Sequence, residues 1–443
     1  MLYFHFKFQF KGQKMANLES NNFSSETLAL HAAYNYDSQR TLSVPIYQST
    51  AYSFESIGQA AARFGLQELG NIYSRLTNPT VDVLAQRLAA VEGGAFGVAT
   101  SSGSAALFYT FVNLAQNGDN ILYSNKIYGG TQTLLVHTLK RFGIEVRCFD
   151  VDDISTIEPL IDDKTKVIFF ESLSNPQIAI PDIEAITAIA KKHKIITVCD
   201  NTVATPFLFR PFEHGIDISV SSLTKYVNGH GAGLGGVAVE RDGLNALIKD
   251  NPRYPAFNTP DESYHGLVYS SLPLPNFGIR LITEWLRNIG ATLAPQVAWI
   301  HLQGLETLEL RIKRHSDSAL KVAEFLESHP KVGKVDYPGL KSNPYNARLK
   351  KYFVDSRASG LLNFEAQSYD AAKKICDTLK LYSITANIGD SKSLVIHPAS
   401  TTHSQLSPKE LESAGITPTG VRLSIGLENV DDLIADLKKA IEA

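Results

Sequence analysis

The sequence predicts an α/β fold: a large unit built on a mostly parallel sheet, followed by a smaller α+β unit at the C-terminus. Three observations predict it. Short β-rich runs alternate with a helical segment through the middle of the chain, the runs end on polar residues, and the texture changes after about residue 310. An internal parallel strand is buried on both faces and is linked to the next by a crossover helix, so an alternation of apolar runs and helices is the expected signature.

Composition narrows the function classes. The chain has 443 residues, 44% of them hydrophobic, enough to bury a large core. Its 42 basic and 45 acidic residues leave a formal charge of -3, with no long run of either sign. No nucleic-acid or anionic-membrane surface is expected, and the partners are expected to be small molecules. Cys148, Cys199 and Cys376 are widely separated and show no CxxC or Cys/His spacing. That argues against a disulfide framework or a metal site and points to a reducing cytoplasm. No apolar run approaches the roughly 20 residues that span a bilayer.

The elements follow in order. Residues 1–14, MLYFHFKFQFKGQK, alternate aromatic and polar side chains. This fits either an edge strand or a disordered extension before Met15, and it lacks the unbroken apolar stretch of a signal peptide. In ATSSGSAALFYTFVNLAQNGD, a Ser/Gly turn at 101–104 heads a helix, which makes either an anion site of free backbone N–H groups or a simple cap. Residues 166–170 (KVIFF), 195–199 (IITVC) and 217–221 (DISVS) read as strands, and 183–193 as a helix. Their ends carry Glu171, then Asp200 and Asn201, then Ser222, Thr224 and Lys225. Ligands of parallel sheets gather at the carboxyl ends of strands, so these three ends are predicted to share one site. A helix at 311–326, an apolar run at 332–337 and an amphipathic helix at 430–441 form the smaller unit.

The stretch SSLTKYVNGHGAGLGG (221–236) has two readings. Gly231, Gly233 and Gly236 satisfy G-x-G-x-x-G, but a dinucleotide loop follows a strand and opens a helix. Here the glycines lead into VAVERDG, which reads as a strand entering a turn, so they are assigned to close backbone approach near a crowded site. Lys225 ends a run predicted to be covered on both faces. Burial lowers an amine's pKa, and a partly neutral lysine attacks carbonyls to form a Schiff base. If that carbonyl belongs to pyridoxal phosphate, an acid must hold the ring nitrogen's proton, a surface must stack the ring and an anion site must take the phosphate. Asp200, Tyr128 and the 101–104 turn can supply these, although each also reads as an ordinary cap or packing residue.

Beyond the single stretch, SSLTKY followed by NGHG resembles the cofactor-attachment signature of the Cys/Met metabolism enzymes, the γ-family of fold-type I pyridoxal-phosphate proteins. IYSRLTNPT (72–80), SSGSAAL (101–107), YGG (128–130), ESLSNP (171–176), CDNT (199–202), HPASTTHS (397–404) and GVRLSIGLE (420–428) occur in the family's order. The resemblance runs from about residue 25 to the C-terminus. It implies a fold-type I transferase with a seven-stranded, mostly parallel sheet and pyridoxal 5'-phosphate as cofactor. The implied division is a disordered extension at 1–14, an arm reaching the neighbouring subunit at 15–75, a cofactor-binding large domain at 76–310 and a C-terminal α+β domain at 311–443.

Carried over residue by residue, the resemblance implies that Lys225 is the covalent anchor and that Asp200 pairs with the pyridine nitrogen. Tyr128 stacks on the ring and serves as acid/base, and Asn175 approaches the 3-oxygen. Gly103, Ser104, Ser222 and Thr224 bind the phosphate, completed by Tyr73 and Arg75 from a neighbouring subunit, so at least a homodimer with shared active sites is implied, commonly within a homotetramer. Arg422, with Ser393 and Tyr73, is implied to bind the substrate, Arg422 as the clamp for the α-carboxylate. Segments 251–267 and 286–315 resemble the longer, sulfhydrylase branch of the family, and Gly130 stands where methionine γ-lyases usually carry cysteine. The implied reaction is γ-replacement of O-acetylhomoserine by sulfide or methanethiol. The alternative is a γ-lyase or a cystathionine γ-synthase acting on methionine, cystathionine or O-succinylhomoserine.

Overall fold

Strong β-formers at residues 165–171 and 196–200 are buried along almost their whole length, which only the centre of a sheet covered on both faces allows. The computed structural model describes residues 23–402, 404, 411 and 415–443. Seven strands form the large sheet: β1 (Phe96–Thr100), β2 (Asn120–Ser124), β3 (Glu145–Phe149), β4 (Thr165–Glu171), β5 (Ile196–Asp200), β6 (Ile218–Ser222) and β7 (Gly236–Glu240). Their order is β1-β7-β6-β5-β4-β2-β3. The pairs from β3 across to β6 are parallel, and β7 runs antiparallel to both β1 and β6. Alternate side chains feed two cores. Ile168, Phe170 and Cys199 point to one face of the sheet, Val167, Phe169 and Val198 to the other.

Helices cover both faces, and their ends are chemically marked. Pro79–Glu92 starts at Asn78, whose side chain accepts the N–H groups of Thr80 and Val81. Ile183–His193 starts at Asp182 and finishes with Lys191, Lys192 and His193, charges that suit the two ends of the helix dipole. The 183–193 reading from periodicity therefore matches the helix residue for residue.

A second sheet belongs to the C-terminal part: β8 (Val332–Asp336), β9 (Leu361–Ala366), β10 (Ser383–Ile384), β11 (Leu394–Ile396) and β12 (Gly420–Ser424), ordered β10-β11-β12-β9-β8. Helix Leu308–Ser328 runs through residue 310, so the change of texture there falls within a helix rather than a linker. Helix Val430–Glu442 packs Leu433 and Leu437 into the core. Residues 1–14 lie outside the described residues. Part of the 15–75 segment docks on its own chain: Ser25 donates its hydroxyl to the Val91 carbonyl (3.2 Å), and Arg87 donates Nε to the Ala32 carbonyl (3.0 Å).

Of the two segments singled out, 251–267 is built into the large unit and 286–315 leads from it into helix Leu308–Ser328. Tyr254 is buried between the starts of β4 and β5. Its hydroxyl donates to the Lys166 carbonyl (2.8 Å) and accepts the Ile196 N–H (2.7 Å). Arg311 is also buried, and its guanidinium donates to the carbonyls of Tyr226 (2.7 Å), Val227 (3.2 Å) and Gly304 (2.6 Å), so this segment braces the turn that follows Lys225.

Candidate active site

Three adjacent parallel strands deliver their last residues to one end of the sheet. Glu171 of β4 pairs in register with Asp200 of β5, and Asp200 with Val220 of β6. Lys225 lies in the turn after β6, and its Nζ donates to Asn387 Oδ1 at 2.7 Å. Burial, and then the Arg422 guanidinium, push the amine's pKa down to about 8 from 10.5. A substantial neutral fraction at ordinary pH makes this lysine a nucleophile.

Arg422 arrives from the other sheet, on β12, and is 4% exposed. It donates Nη1 to Asn175 Oδ1 (3.0 Å) and Nη2 to the Asn387 carbonyl (3.3 Å), and burial lowers its pKa to about 10. Among the described residues it has no ion-pair partner. A buried guanidinium held only by neutral oxygens is costly by itself and is suited to receive a carboxylate in bidentate geometry.

Asp200 accepts the Thr202 N–H at Oδ1 (2.9 Å), and its burial raises its proton affinity. Thr202 in turn accepts the Ser222 N–H on its hydroxyl (2.8 Å), which ties the Asp200 turn to the end of β6. Beside Ser222 lies the start of helix Gly103–Leu114. Ser102 caps it by accepting the Ala105 N–H (3.1 Å), leaving the amides of Gly103 and Ser104 among those a helix start cannot satisfy internally. A Cβ on Gly103 would sit 2.6 Å from Ser222 Cβ, and one on Gly236 would sit 2.7 Å from the Gly103 nitrogen. Gly236 is thus required by the close approach of β7 to this helix start, while Gly233 and Gly235 pack against Val297 and His301, and a strand, not a helix, follows the run. Thr224 holds the run in place by accepting the Gly235 N–H at 3.1 Å.

Tyr128 caps the short helix Gly129–Thr133, and its ring is half exposed. A Cβ on Gly130 would lie 2.5 Å from the ring's Cε1, so any side chain at 130 would move the ring. Tyr73 and Arg75 stand apart from this cluster. Both are exposed, the Arg75 guanidinium lies 5.5 Å from the Tyr73 ring centroid, and they line a hollow of ≈ 540 Å³ with Gln48, Thr50, Thr292 and Pro295.

Ser393 is bonded elsewhere in this structure. The Ser393 hydroxyl donates to Glu428 Oε2 (2.9 Å) and accepts the Gly426 N–H (2.9 Å), while its own N–H donates to Glu428 Oε1 (2.7 Å). These bonds turn the Ser393 side chain toward Glu428, and none of its hydrogen bonds among the described residues is to Arg422. Asn387, six residues earlier, contacts both Arg422 and Lys225 and lies in none of the sequence motifs.

A nucleophilic buried amine, a strand-end acid, a buried guanidinium and an unpaired helix start are the donor set that an aldehyde cofactor with a ring nitrogen and a phosphate requires. Residues 26–442 match the family described as Cys/Met metabolism PLP-dependent enzyme. The chain belongs to this family. Pyridoxal phosphate is accordingly its cofactor. Among the relatives of this Cys/Met metabolism enzyme, O-acetyl-L-homoserine sulfhydrylase of Leptospira meyeri is 44% identical over 95% of the chain and 97% of the relative. The enzyme of the same name from Corynebacterium glutamicum is 44% identical over 97% of the chain and 99% of its own length. Among solved structures, the metY protein of Campylobacter jejuni, which contains N'-pyridoxyl-lysine-5'-monophosphate, is 66% identical. It covers 95% of this chain and 100% of its own, with a TM-score of 0.94. The metB protein of Corynebacterium glutamicum is 31% identical, with 96% and 99% covered and a TM-score of 0.81.

Proposed function

We propose that the protein is a pyridoxal 5'-phosphate-dependent γ-replacement enzyme. It converts O-acetylhomoserine and sulfide, or methanethiol, into homocysteine, or methionine, and acetate. The observation that carries this reading is the Lys225 amine, its pKa lowered by burial and by Arg422, at the meeting point of three strand ends in a chain whose full-length relatives are sulfhydrylases.

Bound, the cofactor supplies an electron sink that makes the protons next to the substrate's amino carbon, and then the next carbon along, removable. The protein does the rest. Arg422 binds the substrate carboxylate and so fixes which carbon faces Lys225. Lys225 would hold the cofactor's aldehyde, and as a free amine it would take the proton from the substrate's α-carbon. Asp200 keeps a proton on the ring nitrogen. Asn175, whose Oδ1 is already bonded to Arg422, has its Nδ2 left for the ring's 3-oxygen. Gly103, Ser104, Ser222 and Thr224 hold the phosphate, and Tyr128 covers the ring and handles the proton at the γ-position. Tyr73 and Arg75 serve a second copy of the chain, which calls for a homodimer with shared sites, arranged in a tetramer. Division at about residue 310 into a cofactor-binding part and a C-terminal part follows the two sheets. The three unpaired cysteines and the lack of a long apolar helix among the described residues support a cytoplasmic location.

Two measurements test the proposal. The purified protein is expected to be yellow, with borohydride fixing the cofactor to Lys225 and Lys225→Ala colourless and inactive. O-acetylhomoserine is expected to give homocysteine only with sulfide present; 2-oxobutyrate formed equally well from methionine would favour the γ-lyase alternative.

A further inference from the structure

The carboxylate of Glu171 is spent on two backbone amides that belong to two different functional loops. Oε1 accepts the N–H of Tyr128 at 2.7 Å, and Oε2 accepts the N–H of Asn175 at 3.0 Å. Glu171 is the last residue of β4, is 5% exposed and has no ion-pair partner among the described residues. We propose that Glu171 is a positioning residue that sets the spacing between the Tyr128 ring and the Asn175 amide, and through Asn175 the orientation of Arg422. This rests on the function proposed above.

The argument turns on reach and on chemistry. One rigid strand end bonds both loops, so neither loop moves without the other. Asn175 passes the constraint on, because its Oδ1 accepts from Arg422, and Arg422 donates onward to Asn387, the partner of Lys225. Only a carboxylate has two acceptor oxygens for two N–H groups; an amide of the same shape turns one NH2 toward an N–H. The acid is kept at a cost. Burial and the neighbouring Asp200 both raise its proton affinity, and the two N–H groups offset this in part. A loop fastener at an ordinary position would not need a buried acid next to another acid.

Glu171→Gln preserves shape and loses one acceptor. In cofactor-free protein, amide hydrogen exchange at Tyr128 or Asn175 is expected to accelerate by about ten-fold or more, because the lost bond frees local opening. That readout does not depend on cofactor or activity, so it separates failure of this inference from failure of the proposed function. In loaded protein, Lys225 still carries the cofactor, its induced circular dichroism changes as the ring reseats, and kcat falls by about ten- to a hundred-fold, the scale of a misplaced reacting group. In a Tyr128→Ala background the same substitution is expected to cost much less, because part of its route is already gone. Wild-type exchange at both amides with unchanged dichroism, or losses that simply add to those of Tyr128→Ala, would overturn the proposal. If Glu171→Gln does not fold, Glu171→Asp, which keeps the charge and shortens the reach, carries the same readouts with the same reading.

Discussion

Adding one methyl group at residue 236 puts the glycine run to the test. Gly236 opens β7, a position where strand preference alone predicts that alanine is neutral or slightly better than glycine. The packing predicts the opposite. The new Cβ would stand 2.2 Å from the Ser102 carbonyl oxygen and 2.7 Å from the Gly103 nitrogen, whereas relaxed non-bonded contacts lie near 3.5 Å, so the helix start must retreat by about 1 Å. Overpacking of this kind costs about 1–3 kcal/mol in stability. A retreat of that size also takes the Gly103 and Ser104 amides away from the phosphate position proposed for them. Losing one charge-assisted bond, at about 1.5–3 kcal/mol, weakens cofactor binding by at least about ten-fold. The assay is cofactor titration of cofactor-free Gly236→Ala followed by absorbance, with urea unfolding run alongside. Wild-type cofactor affinity together with wild-type stability would refute the packing argument.

Three further outcomes follow from other parts of the structure. Because the Lys225 pKa is lowered to about 8, the rate at which cofactor-free protein captures pyridoxal phosphate is expected to rise with pH, reach half its maximum near 8 and level off above. Arg422→Met removes a positive charge that disfavours the ammonium, so it is expected to move that midpoint upward; a midpoint unmoved in stopped-flow measurements would exclude the coupling. Gly130→Cys is expected to displace the Tyr128 ring and to lower sulfide-dependent homocysteine formation, seen as a fall in kcat with the cofactor still bound. Arg311→Leu leaves the buried carbonyls of Tyr226 and Val227 without their donor, at about 1–3 kcal/mol each, while Gly304 keeps the Thr307 N–H, so urea unfolding is expected to show a loss of about 2 kcal/mol or more.

Much of the site is legible in the sequence because a parallel sheet turns sequence order into position. Each buried run ends where its hydrophobic pattern stops, so the pattern alone marks Glu171, Asp200 and Ser222 as strand ends. Ser102 and the glycine after it are legible for a similar local reason, since caps act within three residues. Asn387 is not. Its partner Lys225 lies 162 positions away, and the contact depends on how the C-terminal sheet docks against the first, which no local pattern records. The same docking decides where Ser393 turns: Asn387 and Ser393 share one short segment, and only its path sets the Asn387 side chain against Lys225 and its carbonyl against Arg422, while the Ser393 hydroxyl turns to Glu428. The strand at 236–240 is readable from its residues, but its antiparallel direction beside β6 emerges only from the register.

The Arg422 charge that depresses the Lys225 amine has a consequence for timing in the proposed reaction. Before the cofactor arrives, burial and then that charge keep the amine partly neutral and ready to attack the aldehyde. A substrate carboxylate seated on Arg422 cancels the charge, and the proton affinity of the lysine then climbs. The same side chain becomes a stronger base at the moment its task changes from bonding carbon to accepting a proton, and the substrate itself carries the signal.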